Sequence, residues 1–187
     1  MNTASRARSV AAALVLCVGL SPAVAVAAPP VTLEAAIYDT AGHRVGFARF
    51  VGVDGGTQIT VISQALPPGN HGLHIHEFGS CFASFDTKGV ATPFGSAGGH
   101  FDPLMTGMHK GPDGGGHAGD LPMLQVNPDG SGMVAFYAAT LHVTGPNTLL
   151  GKAIVVHANP DDYTDTPPNG GSGPRIACGS IGGKLAQ

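Results

Sequence analysis

Gly72-Leu73-His74-Ile75-His76-Glu77-Phe78 alternates apolar and imidazole side chains with the two-residue period of a β-strand. On such a strand His74 and His76 share a face, their Cα atoms roughly 7 Å apart. Ile75 turns the other way, into a core. An H-x-H pair is half of a metal site, and alone it is no more than two polar residues on a wet sheet face. The rest of the chain changes that reading. His100-Phe101-Asp102-Pro103, His109-Lys110-Gly111-Pro112 and His117-Ala118-Gly119-Asp120 supply three more histidines and a carboxylate. Gly151-Lys152-Ala153-Ile154-Val155-Val156-His157 adds a sixth imidazole at the end of an apolar run.

Around this stretch the chain reads as short strands. Val31–Tyr38, His43–Val53 and Gln58–Ile62 are separated by Asp39-Thr40-Ala41-Gly42 and Asp54-Gly55-Gly56, both turn signals. Alternation resumes at Leu121–Val126, turns at Asn127-Pro128-Asp129-Gly130, and continues through Met133–Ala138. Leu141–Val143, Lys152–Val156 and Arg175–Ile181 are further strand candidates. No stretch keeps a 3.6-residue apolar stripe beyond two turns, and there is no internal repeat. The spacing predicts an all-β sandwich or barrel. Two segments break the pattern: Phe78–Gly119 and Asn159–Pro174 are rich in Gly, Pro, Asp and Ser. Loops that long inside one domain are functional or disordered, and metal bonds can order a segment that has no core of its own.

The 187 residues fit one domain, 29–187, behind a leader at 1–28. Arg6 and Arg8 precede an apolar run from Val10 to Leu20, and Ala25-Val26-Ala27 is a small-x-small cleavage pattern. The run is too short and interrupted to span a bilayer. Export to the periplasm, the cell envelope or the medium is therefore expected. Removing the leader leaves 7 Lys and Arg against 12 Asp and Glu, about −5. Two cysteines also remain, Cys81 and Cys178, and an even count in an exported chain argues for one disulfide. No basic patch or aromatic platform points to nucleic acid.

The ligand types sort themselves into two sets. His100, His109, His117 and Asp120 make a closed three-nitrogen, one-oxygen set of the kind Zn²⁺ takes tetrahedrally. His74, His76 and His157 make a second, nitrogen-rich set suited to Cu(II). Spacing alone leaves rivals: one zinc site with bystander histidines, or a nickel or copper scavenger without chemistry.

These motifs together resemble the secreted bacterial copper/zinc superoxide dismutases, over nearly all of the mature chain and most specifically over His71–Asp120 and Gly151–Gly182. The resemblance implies an eight-stranded Greek-key β-barrel with two long functional loops. It implies one copper ion on His74, His76, His100 and His157, and one zinc ion on His100, His109, His117 and Asp120. His100 opens the H-F-D-P segment and bridges the two ions. It also implies a Cys81–Cys178 disulfide, and Arg175, in R-I-A-C-G, as the guide for the superoxide anion.

The implied reaction converts superoxide to O₂ and H₂O₂ by Cu(II)/Cu(I) cycling. His100 needs two cations to lose both ring protons, and its nitrogen can later return a proton as a general acid. Asp161, four residues after His157, is expected to orient ligand histidines of both sites, with Asp162 and Asp165 as substitutes. His71 reads as a core-edge histidine bonded to backbone. An acidic chain with an anionic substrate needs a local positive funnel, yet Ala158–Pro174 holds no Lys or Arg. Lys88 is the first candidate to steer substrate and Lys110 the second. Two other readings stay in view: a copper/zinc-binding or chaperone module on the same barrel, and a copper-only enzyme. Family members differ in assembly, so a homodimer is one expectation and a monomer the other.

Overall fold

The computed structural model describes residues 29–183 apart from 113 and 167. The expected leader, 1–28, thus lies outside the described residues. The chain opens with β1 (Thr32–Asp39), β2 (Arg44–Val53) and β3 (Gly56–Ser63), paired antiparallel in succession. In β1, Leu33, Ala35 and Ile37 are buried and their neighbours are not, so period-two patterning places one face on the core. Then come β4 (Gly69–His71), β5 (Leu73–His76), and a small hairpin of β6 (Ser84–Phe85) and β7 (Ala91–Thr92). The chain continues with β8 (Leu124–Val126), β9 (Gly132–Ala138), β10 (Ala153–His157), β11 (Arg175–Ser180) and β12 (Gly182–Gly183).

The strand β3 is bonded to β9, not to the next element, so the chain crosses the barrel end to reach β4. That crossing is the Greek-key connection. The main sheet runs β4-β8-β9-β3-β2-β1-β11-β10-β5, with β12 also on β1. It begins with β4 and ends with β5, which only Gly72 separates, so it returns on itself. The main sheet has ten strands where eight were expected. Two interruptions account for the difference: β4/β5 is one run broken at Gly72, and β11/β12 is one run broken at Ile181.

Gly72 breaks its run for a reason. A Cβ there would sit 2.6 Å from Ser172 Oγ. Its N–H donates to Asn159 O at 2.8 Å, and its carbonyl accepts from His157 N–H at 2.9 Å. Two other strand expectations contract. Leu121–Val126 keeps only its last three residues in β8, and Leu141–Val143 forms no strand, His142 making an isolated bridge to Thr148. Pro122 has no N–H for a ladder, which accounts for the first. Among the described residues there is no α-helix, and no helix long and apolar enough to cross a membrane.

Phe50, Ile59, Leu73, Ile75, Leu124, Ile154 and Val156 fill the barrel. Every residue of β5 and β10 is buried. Their inner face meets that core, and their outer face is covered by the two long loops. Under the first loop Ala153, Val155 and Cys178 pack with Phe94 and Ala97. Cys81 and Cys178 are joined there as expected, 97 residues apart. The bond ties the 77–99 segment to β11. Replacing both cysteines with alanine is expected to lower unfolding free energy by about 2–5 kcal/mol, read as a urea-midpoint shift under non-reducing conditions.

Candidate metal centre

Strand register sets the first three imidazoles. Antiparallel pairing puts Val155 opposite His74 and Ala153 opposite His76, and the two-residue period carries His157 to the face of Val155. The same register sets Arg175 opposite His157.

The loop ligands are sewn to the free edge of β5. Ile75 N–H donates to Gly119 O at 2.9 Å, Phe101 N–H donates to Ile75 O at 2.8 Å, and Gly119 N–H donates to Phe101 O at 2.9 Å. Phe101 follows His100 and Gly119 precedes Asp120. One peptide pair, between His74 and His76, therefore places two ligands that arrive 25 and 45 residues later in the chain. Isolated bridges His74–Asp120 and His76–His100 record the same registration.

Two groups of donor atoms result, each with all its atoms within 4.8 Å of one another: His74, His76, His100 and His157, and His74, His100, His109 and Asp120. Asp120 belongs to the second, and its Oδ1 also gathers His117, which that group does not include. This oxygen lies 3.0 Å from His100 Nδ1, 3.0 Å from His109 Nδ1 and 3.3 Å from His117 Nδ1. His117 sits at the rim, its side chain 13% exposed. The His100 ring lies between the sets, its centroid 5.0 Å from that of His76 and 5.2 Å from that of His109.

Four of the nitrogens that face away are committed. His74 Nε2 and His109 Nε2 bond the two oxygens of Asp161, at 2.6 and 2.8 Å. Asp161 thus bonds one imidazole from a strand and one from a loop. Of its expected substitutes, Asp162 turns on its own loop and Asp165 accepts His109 N–H at 2.7 Å. His76 Nδ1 bonds Gly98 O and His157 Nδ1 bonds Gly173 O, each at 3.0 Å. What is left over is informative. His74 Nδ1, His76 Nε2 and His157 Nε2 are buried with no hydrogen-bond partner, and His109 Nδ1 faces only Asp120 Oδ1. Buried polar atoms are rarely orphaned, and three turned inward together fit a metal ion as the missing partner. The donor set, imidazole nitrogen with one carboxylate, suits copper and zinc.

Burial pushes His74 down to about 3, His76 to about 2 and His157 to about 4, so all three stay neutral and able to ligate. His109 is buried too, but Asp120 and Asp161 flank it and raise it to about 9. Burial opposes ionisation of both aspartates; their histidine partners outweigh it and hold each well below the usual carboxylate range.

Arg175 donates Nη1–H to Phe94 O at 2.8 Å and Nη2–H to Gly98 O at 2.6 Å. Gly98 O thus serves both Arg175 and His76. Lys88 is exposed in the turn between β6 and β7, and Lys110 is exposed beyond His109. Any steering by either is through space. His71 bonds backbone as expected, to His157 O at 2.7 Å and Pro67 O at 2.8 Å. The sequence reading missed the carbonyls of Gly98 and Gly173, because a backbone acceptor has no residue signature. It missed Gly170 as well, because a glycine-rich stretch signals only an irregular loop. A Cβ there would overlap Asp161 Oδ1 and come within 2.6 Å of His109 Nε2.

A family model described as copper/zinc superoxide dismutase (SODC) matches residues 44–181. The chain is 44% identical over 151 residues to superoxide dismutase (Cu-Zn) of Deinococcus radiodurans, covering 79% of this chain and 82% of that one. It is 45% identical over 142 residues to the Escherichia coli K12 protein of the same name, covering 75% and 80%. The Brucella abortus Cu/Zn superoxide dismutase structure superposes with a TM-score of 0.72 at 37% identity, over 80% of this chain and 99% of that one. A superoxide dismutase-like protein from Bacillus subtilis reaches 0.66 at 35% identity, over 79% and 96%. The chain belongs to the copper/zinc superoxide dismutase family.

Two outcomes follow. Gly170→Ala should displace Asp161 and weaken zinc binding about tenfold or more, measured by chelator competition. The metal-free protein should also have a stability maximum near pH 6.5. His74, His76 and His157 have lowered values, so the unfolded chain binds more protons below 6.5 and stability falls on acidification toward pH 4. His109 has a raised value, so stability declines as pH rises from 6.5 toward 9. Thermal melts in chelator across pH 4–9 check both limbs.

Proposed function

We propose that this protein is an exported enzyme that converts superoxide to O₂ and H₂O₂. The observation that carries the reading is the set of three buried, unpartnered ring nitrogens, of His74, His76 and His157, converging beside His100. We assign copper to His74 Nδ1, His76 Nε2, His157 Nε2 and the free side of His100. Zinc goes to Asp120 Oδ1 and the Nδ1 atoms of His100, His109 and His117. When bound, copper supplies one-electron redox chemistry and zinc a fixed charge without redox chemistry.

The chain's own residues do the rest. Arg175 binds the anion: its guanidinium is held by two neutral carbonyls, so its charge is left for substrate. His100 holds a proton or gives it up at the nitrogen facing the first group, while Asp120 fixes Nδ1 and with it the ring. Asp161 keeps His74 and His109 in the tautomers that leave Nδ1 free. The disulfide fits an oxidising compartment, which supports 1–28 as an export leader.

Metal analysis with a superoxide-consumption assay tests this. Near-equal copper and zinc with cyanide-sensitive turnover is the expected result. Bound metal without turnover would replace the enzyme by a metal carrier. Arg175→Gln should lower kcat/KM about tenfold or more and flatten its dependence on ionic strength. Lys88→Glu should lower kcat/KM more mildly, and an unchanged rate at low salt would remove Lys88 from the funnel.

A further inference from the structure

Tyr163 stands in a conformation that L side chains rarely adopt, with φ +59°. Three contacts hold it there. Its N–H donates to Asp161 Oδ1 at 2.8 Å. Its phenol oxygen accepts Met123 N–H at 3.1 Å. Its ring covers Gly111, where an added Cβ would come within 2.7 Å of Tyr163 Cγ. Met123 answers by accepting Asp161 N–H on its sulfur at 3.3 Å.

The pattern has one geometric effect. Gly111 lies two residues after His109, and Met123 lies three after Asp120. Tyr163 therefore pins the 158–174 loop to both segments that carry the zinc-side ligands, and aims a backbone N–H at the oxygen of Asp161 that also serves His109. We propose that Tyr163 is a positioning residue that fixes Asp161 between His74 and His109 and so sets zinc affinity. It touches neither ion nor substrate. This deepens the zinc assignment above and rests on it.

Two variants divide the contributions. Tyr163→Gly tolerates the backbone conformation but loses ring and hydroxyl. Tyr163→Phe keeps the ring and leaves Met123 N–H unpaired. Zinc affinity is measured by titrating zinc alone into the full metal-free protein against a chromophoric chelator, so turnover does not enter. Tyr163→Gly should bind zinc tenfold or more weakly, and Tyr163→Phe three- to tenfold more weakly. The His74 Nε2–H proton signal, protected by Asp161 in the parent, should exchange faster in Tyr163→Gly. A residue that served folding alone would move the melting temperature and leave zinc affinity in place. Either folded variant binding zinc within twofold of a zinc-binding parent would overturn the proposal. A parent that bound no zinc would overturn the zinc assignment with it.

Discussion

The metal centre depends on the unpaired edge of one short strand. Inside the sheet, β5 is bonded to β10, and beyond it no further strand continues the ladder. An open edge offers N–H and C=O groups to whatever arrives. Here the arrivals are Gly119 and Phe101, docked on the two backbone groups of Ile75. Because Ile75 lies between His74 and His76, satisfying its peptide groups also brings His100 and Asp120 to the face those histidines present. Two needs, covering an edge and assembling a site, are met by one set of hydrogen bonds. Gly119 must be small for this, since a Cβ would press on Phe101 N at 2.9 Å.

Rigidity is divided unequally around the site. His74, His76 and His157 stand on strands whose other face is packed with Ile75, Leu73, Ile154 and Val156. Their positions inherit the stiffness of a close-packed interior. His109 and His117 have no such foundation. They come from a segment of glycine-rich turns and are fixed through Asp120, Asp161 and Asp165. Acidic side chains here replace a hydrophobic core. They bond through ring nitrogens and backbone N–H groups, and their negative charge also balances the cations the site would hold. The strand half of the centre is therefore built by folding, and the loop half by polar contacts that a metal would complete.

How much of this was legible in the sequence depends on which atoms do the work. His74 and His76 were visible because strand periodicity converts spacing into direction, and His157 because it ends an apolar run long enough to be buried. The family motifs carried the pairing of Cys81 with Cys178 and the place of Arg175. The break at Gly72 was not legible, since it answers to Ser172, a hundred residues away. Nor was the loss of the Leu141–Val143 strand, because alternation over three residues does not distinguish a strand from a buried loop. The second contacts of the histidines divide the same way. The family pattern pointed to Asp161, with Asp162 and Asp165 as alternatives, while Gly98 O and Gly173 O are main-chain atoms that any residue would provide.

An acidic protein that handles an anion has to separate its net charge from its local charge. Arg175 keeps a positive charge opposite His157 in the strand register. Ion pairing with a carboxylate would have fixed the guanidinium equally well and cancelled its field. Among the described residues no carboxylate pairs with it, and two carbonyl oxygens take the bonds instead. The half-buried setting lowers its pKa from a starting value so high that the group stays charged. Its positive charge in turn helps to lower His76 and His157, a measure of how directly it acts on the first donor group. The negative charge of the centre lies instead in Asp120, bonded to His100, and in Asp161, which bonds both His74 and His109. The cation is thus held by carbonyls and the carboxylates by imidazoles, so neither charge is cancelled by direct pairing with the other.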